Sequence, residues 1–274
     1  MNIKEWLGDN ELSLTIWEKK YRNGNETFEE WLDRVSGKNK KIKDLILAKK
    51  FLFGGRTLSN RGTNKGTMFN CFSRGFILDD LKDILQANTD IALTFKSQGG
   101  QGLSLSKLRP KGTLIGGVYK SDGIIPFLEM YNTTTSCISQ GGSRKGALLV
   151  SLDIWHKEAE DFIKIKSDLN KINKANLSLE IDDNFMRYVD LYYKTGEEKT
   201  VTIERNYSGN LISYEVCPIK VYKLLCKYAH DTAEPGVIFT NKFRNYNLME
   251  FDDKYQIETA NPCGNRFVCH SKIA

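Results

Sequence analysis

A chain of 274 residues, 40% of them hydrophobic, can bury one large core or two smaller ones. Its net charge of +6 is mild, and basic runs such as Lys38-Asn39-Lys40-Lys41 and Lys49-Lys50 are offset by the acids between Glu158 and Asp161; this spread argues against a nucleic-acid surface. Residues 1–14 carry Lys4, Glu5, Asp9 and Glu11 without an apolar leader core, and no apolar run approaches membrane-spanning length, so the expectation is a cytoplasmic protein without a membrane segment. Six cysteines, at 71, 137, 217, 226, 263 and 269, lack any CxxC or paired-ligand spacing. Reduced thiols are expected, and no metal site.

The first fifty residues read as helical. Leu12, Leu14, Ile16 and Trp17 recur at roughly helical spacing, and Thr27-Phe28-Glu29-Glu30 has the form of a capping box that opens a second helix. A charged connection over 37–41 leads to a third helix expected over 42–51. From Gly54 onward short apolar strands alternate with amphipathic helices. Strands are expected over 70–77, 102–108, 147–152, 175–180 and 237–240, and helices over 81–96, 124–137, 158–166 and 221–231. That alternation favours parallel pairing with right-handed crossovers. A polar hairpin is expected over 197–215.

Two glycine clusters fall in connections. Ser97-Gln98-Gly99-Gly100-Gln101-Gly102 follows a helix and precedes a strand, so it is not a dinucleotide fingerprint, but its backbone can approach a ligand closely. Ser139-Gln140-Gly141-Gly142-Ser143-Arg144-Lys145-Gly146 adds two cations to the same kind of loop, and phosphate contact and a plain flexible turn are both open there.

Five segments in order carry a resemblance: Phe53-Gly54-Gly55-Arg56-Thr57-Leu58-Ser59-Asn60-Arg61-Gly62, Asn70-Cys71-Phe72, the two glycine loops, and Asn261-Pro262-Cys263-Gly264. Together with Ile163 to Asn176, the set resembles the catalytic subunit of ribonucleotide reductases. The resemblance implies an α/β fold in which an N-terminal helical region (1–52) precedes the first half of a ten-stranded barrel (53–264), with a finger loop that carries a radical cysteine to the centre. Residues 265–274 bear no evident likeness and read as a tail, as if the second half-barrel were absent.

The resemblance also implies roles. Cys263 matches the thiol that becomes a radical and abstracts the ribose 3′-hydrogen, Asn261 the residue that hydrogen-bonds the sugar, and Cys71 one of two thiols that deliver reducing equivalents. Thr57, Asn70, Gln101 and Gly102 sit where the family contacts substrate. Asp79 resembles the residue that binds the ribose of a deoxynucleotide or ATP effector, with a helix N-cap as its plain structural alternative. Ser143, Arg144 and Lys145 lie on the loop that relays effector identity. The implied partners are a ribonucleotide substrate, a nucleotide effector, a thioredoxin- or glutaredoxin-like reductant, the missing C-terminal half and a second copy in a homodimer. The radical source is adenosylcobalamin, favoured by the Phe53 to Gly62 pattern, or a separate di-metal subunit.

One departure stands out. The family places an acid two positions after the radical cysteine, and this chain has Asn265, which cannot serve as a base at neutral pH. Reading through an intron, an intein or a frameshift would explain the break after Gly264. Besides a reductase fragment inactive alone, a nucleotide-binding module and an inert truncated product remain open.

Overall fold

The computed structural model describes residues 2–140, 144–167, 171–252, 256–262 and 267–269; residues 139, 140, 144, 145, 258 and 267–269 are described by backbone alone. Two compact units result, one built on Met1–Asn70 with Ser97–Gly99, the other mainly on the chain from Cys71 onward. The boundary thus falls at Asn70, past the 52/53 division expected from sequence, because Leu58 joins the N-terminal core.

Five short helices form the N-terminal unit: α1 (Ile3–Leu7), α2 (Glu11–Ile16, continued by a π turn over Trp17–Tyr21), α3 (Phe28–Ser36), α4 (Lys40–Leu47) and α5 (Gly55–Asn60). Their starts are fixed by side-chain caps from Asn2, Asn10, Thr27 and Asn39. Thr27 and Glu30 form the expected capping box, and Gly37 ends α3 in the left-handed region at φ 63°. Trp6, Trp17, Phe28 and Trp31 meet in one aromatic cluster with Leu32, Val35, Ile46 and Leu58. Arg34 ties it down by pairing with Glu26 and donating to the Arg61 carbonyl at 2.7 Å. The third helix ends at Leu47, earlier than expected. α1 and α5, of five and six residues, are too short to have declared themselves by periodicity.

The second unit is a parallel sheet in the order β1 (Cys71–Phe76), β2 (Gly100–Ser104), β3 (Leu148–Asp153), β4 (Ala175–Ile181) and β5 (Gly236–Phe239). This is the five-stranded half-barrel the sequence led one to expect. The crossovers run through α6 (Leu81–Lys96), α7 (Ile125–Cys137), α8 (Ala159–Lys164), α9 (Asp183–Thr195) and α10 (Pro218–Thr232); α9 was not expected from sequence. Between α9 and α10 stands the antiparallel hairpin Val201–Tyr207 and Asn210–Val216.

The sheet has two unlike faces, set by the period of two along each strand. On the outer face Leu103, Leu148, Val150, Leu152, Leu177 and Leu179 are buried in one core with Phe95, Leu128, Tyr131, Phe162, Phe185 and Leu225 of the helices. At roughly 1.5 to 3 kcal/mol per buried large side chain, this layer supplies most of the unit's cohesion. The inner face carries Cys71, Ser73, Gly100, Gly102, Ser104, Leu149, Ser151, Ser178 and Glu180, as the strand register requires. A sixth strand, β6 (Ile257–Ala260), lies against β1, β2 and β3 and pairs antiparallel with Phe267–Cys269. Among the described residues no helix is long and apolar enough to cross a membrane.

Candidate active site

An inner face of glycines and serines leaves room for backbone to lie directly on the sheet, and β6 uses it. A Cβ at Gly102 would stand 1.9 Å from the Ala260 carbonyl oxygen and 3.1 Å from Asn261 Cα. At Gly100 it would stand 3.0 Å from Pro262 Cγ and 3.1 Å from the Ala147 oxygen. The glycines here do not serve turns; both lie inside β2, with Gln101 N–H donating to Ala147 O at 2.8 Å. Gln101, expected just ahead of a strand beginning at Gly102, is therefore a strand residue as well.

Asn261 is 3% exposed and reaches the inner face at the end of β6. Cys71 is half-buried on that face at the start of β1, in register with Gly100. Two of the three residues assigned to catalysis are thus on one surface, joined through the Gly100 and Gly102 backbone. Cys263, the third, lies outside the described residues. Ser73, two residues beyond Cys71, has its buried hydroxyl without a hydrogen-bond partner among the described residues. Gln101 alternates to the opposite face: it is in register with Leu148, and its buried Oε1 also lacks a partner there. Its amide is aimed away from Cys71 and Asn261, which corrects its expected place beside the substrate. Thr57, on α5, and Asn70, exposed at the end of the preceding segment, belong to the N-terminal unit.

A buried carboxylate that sequence reasoning missed sits deeper on the inner face. Glu180 Oε1 accepts from Ser151 Oγ at 2.6 Å and Oε2 from Ser106 Oγ at 3.2 Å, while Ser106 and Ser104 hydroxyls are 2.8 Å apart. Ser151 Oγ is also 3.5 Å from Thr259 Oγ1 of β6. Burial pushes the Glu180 carboxyl up to about 7 against the lowering effect of the serines. Together with Thr259, Ala260, Ile257, Ile238, Thr240, Phe243 and Arg244 it lines a cavity of about 20 Å³, room for a single water. Its sequence signal was the alternation Asn176, Ser178, Glu180 in a parallel strand, where a continuous apolar run is the norm.

At the other end of β1, Asp79 is gripped rather than free. Arg109 Nε lies 2.9 Å from each carboxylate oxygen, Arg109 N–H donates at 3.1 Å, and Ser208 Oγ at the hairpin tip donates at 3.0 Å. The residue that caps α6 is Asp80, which accepts from Asp83 N at 3.1 Å, so the N-cap alternative for Asp79 is corrected by one position. Ser143 lies outside the described residues, as do the side chains of Arg144 and Lys145.

His156, 1% exposed, has Nε2 2.9 Å from Leu108 O and accepts from Glu158 N–H at Nδ1. Both ring nitrogens are committed to the neutral form, and burial pushes its pKa down to about 4. Glu158, whose pKa burial raises, accepts from Lys111 N and Ile124 N. This pair ties loops together and has no access to the inner face's chemistry. Cys137 and Cys226 are exposed on helices. Among the described residues no group of three or more His, Cys, Asp or Glu side chains could hold a metal ion.

With this geometry in place, comparisons with known proteins are informative. Residues 70–272 match the family model described as the ribonucleotide reductase barrel domain; the match continues past Gly264, where the evident likeness had stopped. A vitamin B12-dependent ribonucleoside-diphosphate reductase from Thermoplasma acidophilum is 29% identical over 88% of this chain and 31% of its own length. The ribonucleoside-diphosphate reductase large subunit of Monkeypox virus is 35% identical over 53% of this chain and 20% of its own. Among solved structures, the Actinobacillus ureae class Id ribonucleotide reductase alpha subunit superposes with a TM-score of 0.77 at 18% identity, over 99% of this chain and 48% of that one. The chain spans less than a third of the length of these curated relatives.

Proposed function

Because the chain belongs to the ribonucleotide reductase barrel family, we propose that it supplies the first half of a reductase barrel acting on a ribonucleotide by thiyl-radical chemistry. The observation that supports this most is the meeting of Cys71 and the Ala260–Asn261 backbone on one glycine-cleared face. In this reading a radical at Cys263 removes the ribose 3′-hydrogen, the 2′-hydroxyl leaves as water, and two thiols, Cys71 and a second one, become a disulfide. Carbon–oxygen becomes carbon–hydrogen, with two electrons and two protons from the thiols, and the 3′-hydrogen is returned. Asn261 holds the sugar. The relatives named above are diphosphate reductases, which favours a diphosphate substrate.

Adenosylcobalamin as radical source rests on the B12-dependent relative. Among the described residues no ligand cluster fits a metal centre. The effector reading of Asp79, with Ser143, Arg144 and Lys145, gains Arg109 as a cation beside the carboxylate. A thioredoxin- or glutaredoxin-like reductant and a homodimer remain part of the proposal.

The test is single-turnover reduction in a barrel completed with the remaining segment of the T. acidophilum relative, supplied with adenosylcobalamin and a dithiol. The chain alone should give no deoxynucleotide, since five strands do not enclose a radical. The completed barrel should turn over, and Cys71→Ser or Cys263→Ser should abolish it. Turnover retained in both variants would overturn the reading.

A further inference from the structure

We infer that Glu180 is a positioning residue whose uncharged form seats the 257–261 segment, and with it Asn261, on the inner face of the sheet. The contact runs from β4 through Ser151 to Thr259 of β6, with hydroxyls 3.5 Å apart at the β6 end and 2.6 Å from the carboxylate at the other. Ser151 has one proton to give. With Glu180 ionised, that proton goes to the carboxylate and Thr259 must donate inward; with Glu180 protonated, the carboxylic acid donates and the Ser151 proton is released to Leu103 O at 3.3 Å or outward to Thr259. Thr259, Ile257 and Ala260 line the cavity that holds Glu180, so lifting β6 opens the carboxylate to water.

The direction follows from linkage. Seated, the carboxyl is pushed up to about 7 by burial; in contact with water it returns toward its ordinary value of 4.5. Unseating therefore releases a proton, and rising pH through 7 favours it. The charged groups facing Glu180 do not reverse this sign. Asp153 on β3 raises the pKa further, although Arg205 of the hairpin pairs with it. Arg244 of the helix Thr240–Asn245 lines the cavity but lies 3.7 Å from Glu250, its own acid. The remaining neighbours, Ser104, Ser106, Thr240 and Thr259, are neutral.

The role given to Asn261 rests on the reductase reading, but the test does not. Amide hydrogen exchange across 257–261 is measured in the full chain at pH 6 and pH 8, corrected for intrinsic exchange. Protection should fall about tenfold in the wild type, and Glu180→Gln, neutral at both values, should stay at the pH 6 level. Thr259→Val, nearly isosteric, should lower protection at both pH values by severing the hydroxyl link. Equal wild-type protection at pH 6 and 8, a pH step that persists in Glu180→Gln, or unchanged protection in Thr259→Val would each overturn the inference. None of these outcomes touches the thiol dependence that tests the reductase reading.

Discussion

Adding one methyl group at Gly102 tests whether β6 lies where the fold places it. The new Cβ would meet two backbone groups, the Ala260 carbonyl at 1.9 Å and the Asn261 Cα at 3.1 Å, so no side-chain rotamer can relieve the clash. Ordinary contact begins at 3.4 Å, so the Ala260 oxygen must retreat by about 1.5 Å. Gly102 does not have a positive φ, which leaves overpacking as the cause of any effect. If β6 holds, the strain costs about 1 to 3 kcal/mol. If it lifts instead, the buried Thr259, Ala260 and Asn261 are uncovered at a comparable cost. For a unit of this size either outcome lowers Tm by roughly 3–10 °C. Thermal unfolding of the full chain reads this, with Gly54→Ala as control, since a methyl there meets nothing within 4 Å. Gly102→Ala melting within about 1 °C of the wild type would mean that the 260–261 backbone does not rest on β2. In a completed barrel a displacement of this size should also lower turnover by about 10²-fold.

Two buried groups should give the chain opposed pH dependences of stability. His156, pushed down to about 4 by burial from its ordinary 6.5, contributes stability present above 6.5 and lost as pH falls toward 4. Glu180, near 7 against 4.5, contributes stability present below 4.5 and lost as pH rises through 7. Each amounts to about 3 kcal/mol at full extent, so between pH 4.5 and 6.5 the two nearly cancel in the wild type, and urea unfolding should show Glu180→Gln losing stability as pH falls and His156→Gln losing it as pH rises. Parallel profiles for all three proteins would refute both assignments. In the N-terminal unit, Thr27→Ala removes the cap of α3 and should cost about 1 kcal/mol in urea unfolding; Thr27→Asn should restore most of it, and a neutral Thr27→Ala would mean the box does not hold the helix.

The sequence was most readable where one periodicity ran long. The sixteen residues of α6 and the capping box at Thr27 were both legible because local chemistry decides them. β2 was misplaced by two residues because Gly100-Gln101-Gly102 looks like a turn. Only the neighbouring strands and the crossing β6 backbone make it extended. Asp79 drew attention through the resemblance alone, and its partner Arg109, thirty residues on, is joined to it by tertiary packing. Glu180 could have been found: Ser104 on β2, Ser151 and Asp153 on β3, and Asn176, Ser178 and Glu180 on β4 place polar residues on one face of three parallel strands, which marks a sheet face reserved for something other than helices.

The sheet's strand order is also the order in which a ribosome makes them. Each of the five strands docks on the one just synthesised, so the sheet can grow at a single edge as the chain emerges, with no early strand held open for a late one. β6 breaks that pattern, since it needs β1 to β3 already in place. About a hundred residues separate β3 from β6, on the order of ten seconds of synthesis. During that interval the face it will cover stands in water. Hydroxyls, glycines and a carboxylate tolerate the wait, whereas a leucine-lined face would invite aggregation.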